Sequence, residues 1–134
     1  MKNSNFQFTT PELAGLKFVL NEEFANVGNE VTVPTNIETQ VSPKEVNGDE
    51  TIATVVIKVT IGEEKESSPY YIEVVEKANF KWKTEDFSDE EANVLLSQNA
   101  ASLLISYVRP IIHNVTGQTR YPGYNLPFIN VTAQ

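Results

Sequence analysis

Residues 53–61 alternate in a way that only one backbone geometry satisfies. Ala53, Val55, Ile57, Val59 and Ile61 are apolar, and Thr54, Lys58 and Thr60 stand between them. Side chains repeat every two residues in a strand and every 3.6 in a helix, so this stretch is a strand with one buried face. Three neighbours follow the same rule. Leu16, Phe18 and Leu20 alternate with Lys17, Val19 and Asn21. Val31, Val33, Thr35, Ile37, Thr39 and Val41 occupy the odd positions of a second run, where Pro34 suggests a sheet edge or the start of pairing. Residues 70–82 carry Tyr70, Ile72 and Val74 on one face and Tyr71, Glu73 and Val75 on the other. Ser42-Pro43 and Asn47-Gly48-Asp49 mark turns, and 62–69 is a polar hairpin loop. Four strands joined by loops too short for a crossover helix form an antiparallel sheet. Val19, Tyr71 and Val75 place apolar groups on the face that should be wet, which suggests that this face meets a partner.

The periodicity changes at Ser88-Asp89-Glu90-Glu91, a capping box in which Ser88 caps the Glu91 amide and Glu91 reaches back. From Ala92 the apolar residues recur at helical spacing, and Gly117 is a natural stop. Pro110 lies inside, where it should kink or locally break the helix. Leu103, Leu104, Ile105, Val108, Ile111 and Ile112 cover most of the circumference, so the helix is expected to be buried on two sides. One sheet covers one side. A second subunit is the simplest cover for the other, with Leu104, Val108 and Ile111 at that interface.

After the helix comes TGQTRYPGYNLPFIN, residues 116–130, with Tyr121, Tyr124, Leu126, Phe128 and Ile129 among two prolines and two glycines. So apolar a loop belongs in a groove, not in solvent.

The chemistry of catalysis is harder to find. The chain has 134 residues, enough for one domain with a real core. It has no cysteine, so disulfides and thiolate-bound metals are excluded, and His113 is its one histidine. No paired-ligand spacing, phosphate loop or nucleophile elbow occurs. Glu22-Glu23, Glu63-Glu64, Asp86 and the acids at the helix start read as solvated charges. Asn114 and Asn130 begin glycosylation triplets, read as accidental without a signal peptide. The net charge of −8 argues against nucleic acid or anionic membranes as partners, and the N-terminus lacks an apolar targeting region. The expectation is a cytoplasmic binding protein that is not an enzyme and needs no cofactor or metal.

The order of these features resembles the protein-export chaperone family SecB. Tyr121-Pro122-Gly123-Tyr124-Asn125-Leu126 is similar to the family's post-helical Phe-Pro-x-Leu-Asn-Leu, and Tyr107-Val108-Arg109 to its Tyr-x-Arg. Tyr70-Tyr71-Ile72-Glu73-Val74 resembles a family strand. The resemblance implies one α+β domain over 1–134: a four-stranded antiparallel sheet followed by one long C-terminal helix, packed between subunits of a dimer or tetramer. It implies an ATP-independent holdase for unfolded or export-bound polypeptides. Carried over by position, the client groove is Phe24, Tyr70, Ile72, Val74, Tyr107, Tyr121 and Tyr124. Lys58, Tyr71 and Glu73 would form the sheet surface that docks a protein partner, in the family the translocation motor SecA. Gly15 and Val19 stand where that surface should carry further acids, and the family's second C-terminal helix has no counterpart before Gln134. An antitoxin of a toxin–antitoxin system is therefore an alternative client. A third reading is an adaptor for one dedicated partner, such as a phage or accessory factor.

Overall fold

The computed structural model describes residues 5–24, 33–65 and 67–129. Its strands are β1 (Gln7–Phe8), β2 (Glu12–Leu20), β3 (Thr35–Val41), β4 (Glu45–Asn47), β5 (Glu50–Gly62) and β6 (Tyr70–Lys83). A helix follows in two parts, α1 (Asp89–Val94) and α2 (Ala101–Thr116), joined without a break by a π turn at Leu95–Ala100.

All pairings are antiparallel. β5 and β6 form the centre; β1 and β2 share the outer side of β6, and β3 and β4 share the outer side of β5. The sheet is thus four strands wide although six are present. The first strand lies beside the last, and the three later columns follow in chain order, a Greek-key arrangement. The two extra strands are short pieces that sequence periodicity could not separate from their neighbours. Val31, expected in the second strand, lies outside the described residues, and β3 begins after Pro34 at the sheet edge.

The alternation seen in the sequence is realised as burial. Val55, Ile57, Val59 and Ile61 of β5 and Ile72 and Val74 of β6 are fully buried on the helix side. Gly62 ends β5 with φ 83, and a Cβ there would lie 2.0 Å from the Tyr70 carbonyl oxygen, so no other residue fits that hairpin. Above this face lie Leu96, Leu104, Val108 and Ile112 of the helix, each fully buried.

Two expectations about the helix are corrected. Helical structure runs through Pro110, and the irregular turn falls at Leu95–Ala100 instead. Nor is the helix apolar all round: Asn93, Ser97, Asn99, Ser102 and Ser106 are exposed. Leu104 and Val108 face the chain's own sheet, while Leu103 and Ile111 are half-buried. No described helix is long and apolar enough to cross a membrane.

Candidate functional site

Four aromatic rings from three parts of the chain meet at one end of the sheet. Tyr70 opens β6, on the helix side. Its ring centroid lies 5.9 Å from Phe18 of β2 and 6.1 Å, edge on, from Tyr121 beyond the helix. Tyr121 in turn meets Phe24 of the loop after β2 edge on, at 6.3 Å. Such edge-to-face pairs are each worth about 0.5–1.5 kcal/mol beyond their area burial. Tyr70 is buried, whereas Phe18, Phe24 and Tyr121 are half-open. Burial pushes the Tyr70 phenol above its ordinary range, with smaller contributions from Tyr124 and Tyr121.

The segment after the helix is positioned by a dense set of hydrogen bonds. The Thr116 hydroxyl donates to the Ile112 carbonyl and accepts from the Tyr124 N–H, both at 2.7 Å. The Thr119 hydroxyl donates to the Thr116 carbonyl at 2.6 Å and accepts from the Tyr121 N–H at 3.1 Å. Further on, the Arg109 guanidinium donates to the carbonyls of Leu126 and Pro127, a planar fork that straps the segment to the helix. His113 packs its ring against Gly123 so closely that a Cβ there would lie 2.7 Å from the ring. Leu126 is buried as a plug, Tyr124 reaches the Thr35 hydroxyl at 3.4 Å, and Phe128 is 89% exposed. The segment is therefore part core and part surface. Its placement answers why it is apolar: it fills the corner between the helix and β3.

Of the groove residues expected from sequence, Phe24, Tyr70 and Tyr121 touch, and Tyr124 lies alongside on the same segment. Ile72 and Val74 are sealed in the core and line no open surface. Tyr107, 40% exposed, sits on another flank of the helix from Arg109. Phe18, Arg109 and Thr116 join the site although none was expected in the groove. Phe18 had a signal in its alternation with Lys17 and Val19, and Arg109 in the Tyr-x-Arg resemblance; the hydrogen bonds of Thr116 had none.

Lys58, Tyr71 and Glu73 share the face of the sheet away from the helix. The Tyr71 hydroxyl donates to Glu73 Oε1 at 2.9 Å, and Lys58 Nζ lies 3.3 Å from the same oxygen. The Tyr71 hydrogen bond, then Lys58, holds the Glu73 carboxyl below its usual range. Lys17 stands 5.6 Å from the Tyr71 ring centroid and pairs with Glu64 at 2.6 Å. Glu73 is thus already engaged within the chain.

The fold has known counterparts. The family described as "Preprotein translocase subunit SecB" matches residues 21–133. The chain belongs to the SecB family. Its fold is similar to that of the Mycobacterium tuberculosis Rv1957 SecB-like chaperone, solved in complex with a ChAD peptide from the Rv1956 HigA1 antitoxin. That likeness has a TM-score of 0.62 at 13% identity and covers 92% of this chain and 90% of the other. A Streptococcus agalactiae protein of unknown function matches with a TM-score of 0.57 at 16% identity, over 92% of this chain and 97% of that one. No curated protein matches the chain.

Proposed function

We propose that this SecB-family chain is an ATP-independent cytoplasmic holdase that acts as a homo-oligomer and receives apolar client segments at the Phe24–Tyr121–Tyr70–Phe18 cluster. The observation that carries the reading is the cluster itself. Three of its four rings are half-open, and they come from a strand, a loop and a strapped segment. Aromatic surface of that kind binds many sequences by area and ring geometry without reading a code. The test is suppression of aggregation of two unrelated unfolded proteins without ATP. Tyr121→Ala should weaken it severalfold while the variant stays folded; protection unchanged by Tyr121→Ala would place the client elsewhere.

Assembly follows from the outer face of the helix. Residues 92–108 carry no charge at all, although 21% of the chain is charged, and their exposed side chains are those of Asn93, Val94, Ser97, Asn99, Ser102, Ser106 and Tyr107. A solvated helix face normally carries charge, so a second copy is the cover we propose, over Ser102 and Ser106 with Ile111 at the margin.

A second reading, service to one dedicated partner such as an antitoxin, is favoured by the antitoxin peptide in the Rv1957 complex. Protection of one of several clients alone would select it. Docking of SecA through Lys58, Tyr71 and Glu73 is a narrower proposal, because a partner must first displace Lys58 or Tyr71 from Glu73. Titration with the tail of the motor, comparing Glu73→Lys with the parent, decides it; unchanged binding removes Glu73 from the contact.

A further inference from the structure

Asn21, the first residue after β2, stands where two supports of the aromatic site meet. Its side-chain Nδ2 lies 2.8 Å from each of three carbonyl oxygens, those of Glu63, Lys65 and Ser68 in the β5–β6 hairpin. An amide nitrogen has two N–H groups, so one of them is shared between two carbonyls. The backbone of the same residue is tied in both directions. Its N–H donates to the Pro69 carbonyl and its carbonyl accepts from the Phe24 N–H, both at 3.0 Å.

These bonds reach the rings by short paths. Pro69 directly precedes Tyr70, and Leu20, directly before Asn21, pairs with Tyr70 in the sheet. Phe24 closes a turn that begins at Asn21, and its ring meets Tyr121 at 6.3 Å. Tyr70 meets the same Tyr121 ring at 6.1 Å. Two neighbours of Tyr121 thus hang from backbone that converges on one residue. The hairpin braces itself through Ser68, 2% exposed, whose hydroxyl accepts from the Glu63 N–H at 3.1 Å. That brace holds nothing of the loop after β2. The Lys17–Glu64 pair does join β2 to the hairpin, but both side chains are half-exposed, and surface pairs contribute little.

We propose that Asn21 is the positioning residue of the client site: its amide locks the β5–β6 hairpin to the loop after β2 and so sets the spacing of Phe24 and Tyr70 about Tyr121. The proposal rests on the chaperone reading and adds the device that holds its site in order. Asn alone suits the place. Asp has the same shape but sets an acceptor against three acceptors, and Gln carries its amide one carbon too far. The bonds to Glu63 and Lys65 are exposed, so water can replace the amide there without fixing the loop. Loss of Asn21 therefore disturbs ring geometry more than stability.

The experiment uses the full chain with Asn21→Leu and Asn21→Asp, which keep the size of the side chain and remove both donors; Leu adds no charge. Ring-to-ring NOEs read the Phe24–Tyr121 and Tyr70–Tyr121 contacts directly. Client affinity is read by anisotropy with fluorescein-labelled, reduced and carboxymethylated α-lactalbumin, corrected to the folded fraction by urea melts. Both variants should lose the Phe24–Tyr121 NOEs and bind about three- to tenfold more weakly, the range that one lost ring contact implies. Adding Asn21→Leu to Tyr121→Ala should cost no further affinity, because both act on one cluster. NOEs that persist in both variants, an affinity equal to the parent's, or additive losses in the double variant overturn the positioning role. Tyr121→Ala alone tells the two failures apart: if it leaves client affinity unchanged, the site reading falls, and the positioning role falls with it.

Discussion

Replacing Thr116 by Val isolates what holds the post-helical segment in place. Thr116 is fully buried, and its hydroxyl links the last helical turn to the segment by accepting from the Tyr124 N–H. Val has nearly the same shape, so no cavity opens. The Ile112 carbonyl loses only a supplementary donor, because it lies within the helical ladder. The Tyr124 N–H, in contrast, loses its acceptor. An unpaired buried donor costs about 1–3 kcal/mol, and Tyr124 is half-buried, which places the effect near 1.5 kcal/mol. For a domain of this size that lowers Tm by about 4–6 °C. Urea melts at fixed protein concentration measure the loss, since assembly would add its own contribution. Amide exchange at Tyr124 supplies a local reading. Thr116→Ser is the control: it loses a methyl group, at a cost of about 1 kcal/mol, yet should keep the Tyr124 amide protected. A Thr116→Val variant within about 0.3 kcal/mol of the parent, with Tyr124 still protected, would refute the anchoring role.

Other perturbations separate the remaining assignments. Glu76→Gln should stabilise the fold, and the gain should grow with pH. The folded carboxyl lies above its ordinary 4.5, so ionisation penalises the native state from that pH upward until the folded group has titrated; a gain independent of pH would contradict burial as the cause. Tyr71→Phe removes the largest influence on Glu73, so the Glu73 carboxyl should titrate higher by NMR. Leu104→Asp should unfold the chain, because a fully buried aliphatic side chain gives way to an unpaired charge at a cost of several kcal/mol. Ser102→Arg on the outer face should lower the mass seen by light scattering while the far-UV circular dichroism spectrum of the folded chain stays unchanged. A folded Leu104→Asp monomer would reverse these two assignments.

The sheet was legible because its two central strands bury one face each, so hydrophobic alternation and structure report the same constraint. Ala53 to Ile61 shows this at every odd position. The helix start was legible for a local reason as well: both hydrogen bonds of the Ser88–Glu91 capping box are present, the Ser88 N–H donating to Glu91 Oε1 at 2.9 Å and the Glu91 N–H to Ser88 Oγ at 3.1 Å. What stayed hidden depends on orientation. Leu104 and Val108 look like members of two faces on a list of apolar residues, yet the helix turns both toward the sheet. Ile72 and Val74 belong to the groove strand by position, but the helix closes over them. Glu76 gave no signal, since one acid on an alternating strand resembles any other until the strand's facing is known.

The dimensions of the fold explain why its two outer columns differ. Four strands at about 4.8 Å spacing make a face wider than one helix, which is about 10 Å across with its side chains. A single helix over β5 and β6 therefore leaves a bare column on each side. On the β3 side the chain supplies its own cover: Arg109 straps the segment carrying Leu126 and Pro127 there, and Tyr124 reaches Thr35. The π turn and the prolines do nothing for the other side, where Leu13 and Leu16 stay open. A chain built only for its own stability would carry an apolar residue at position 76, because a buried carboxyl oxygen without a donor opposes folding.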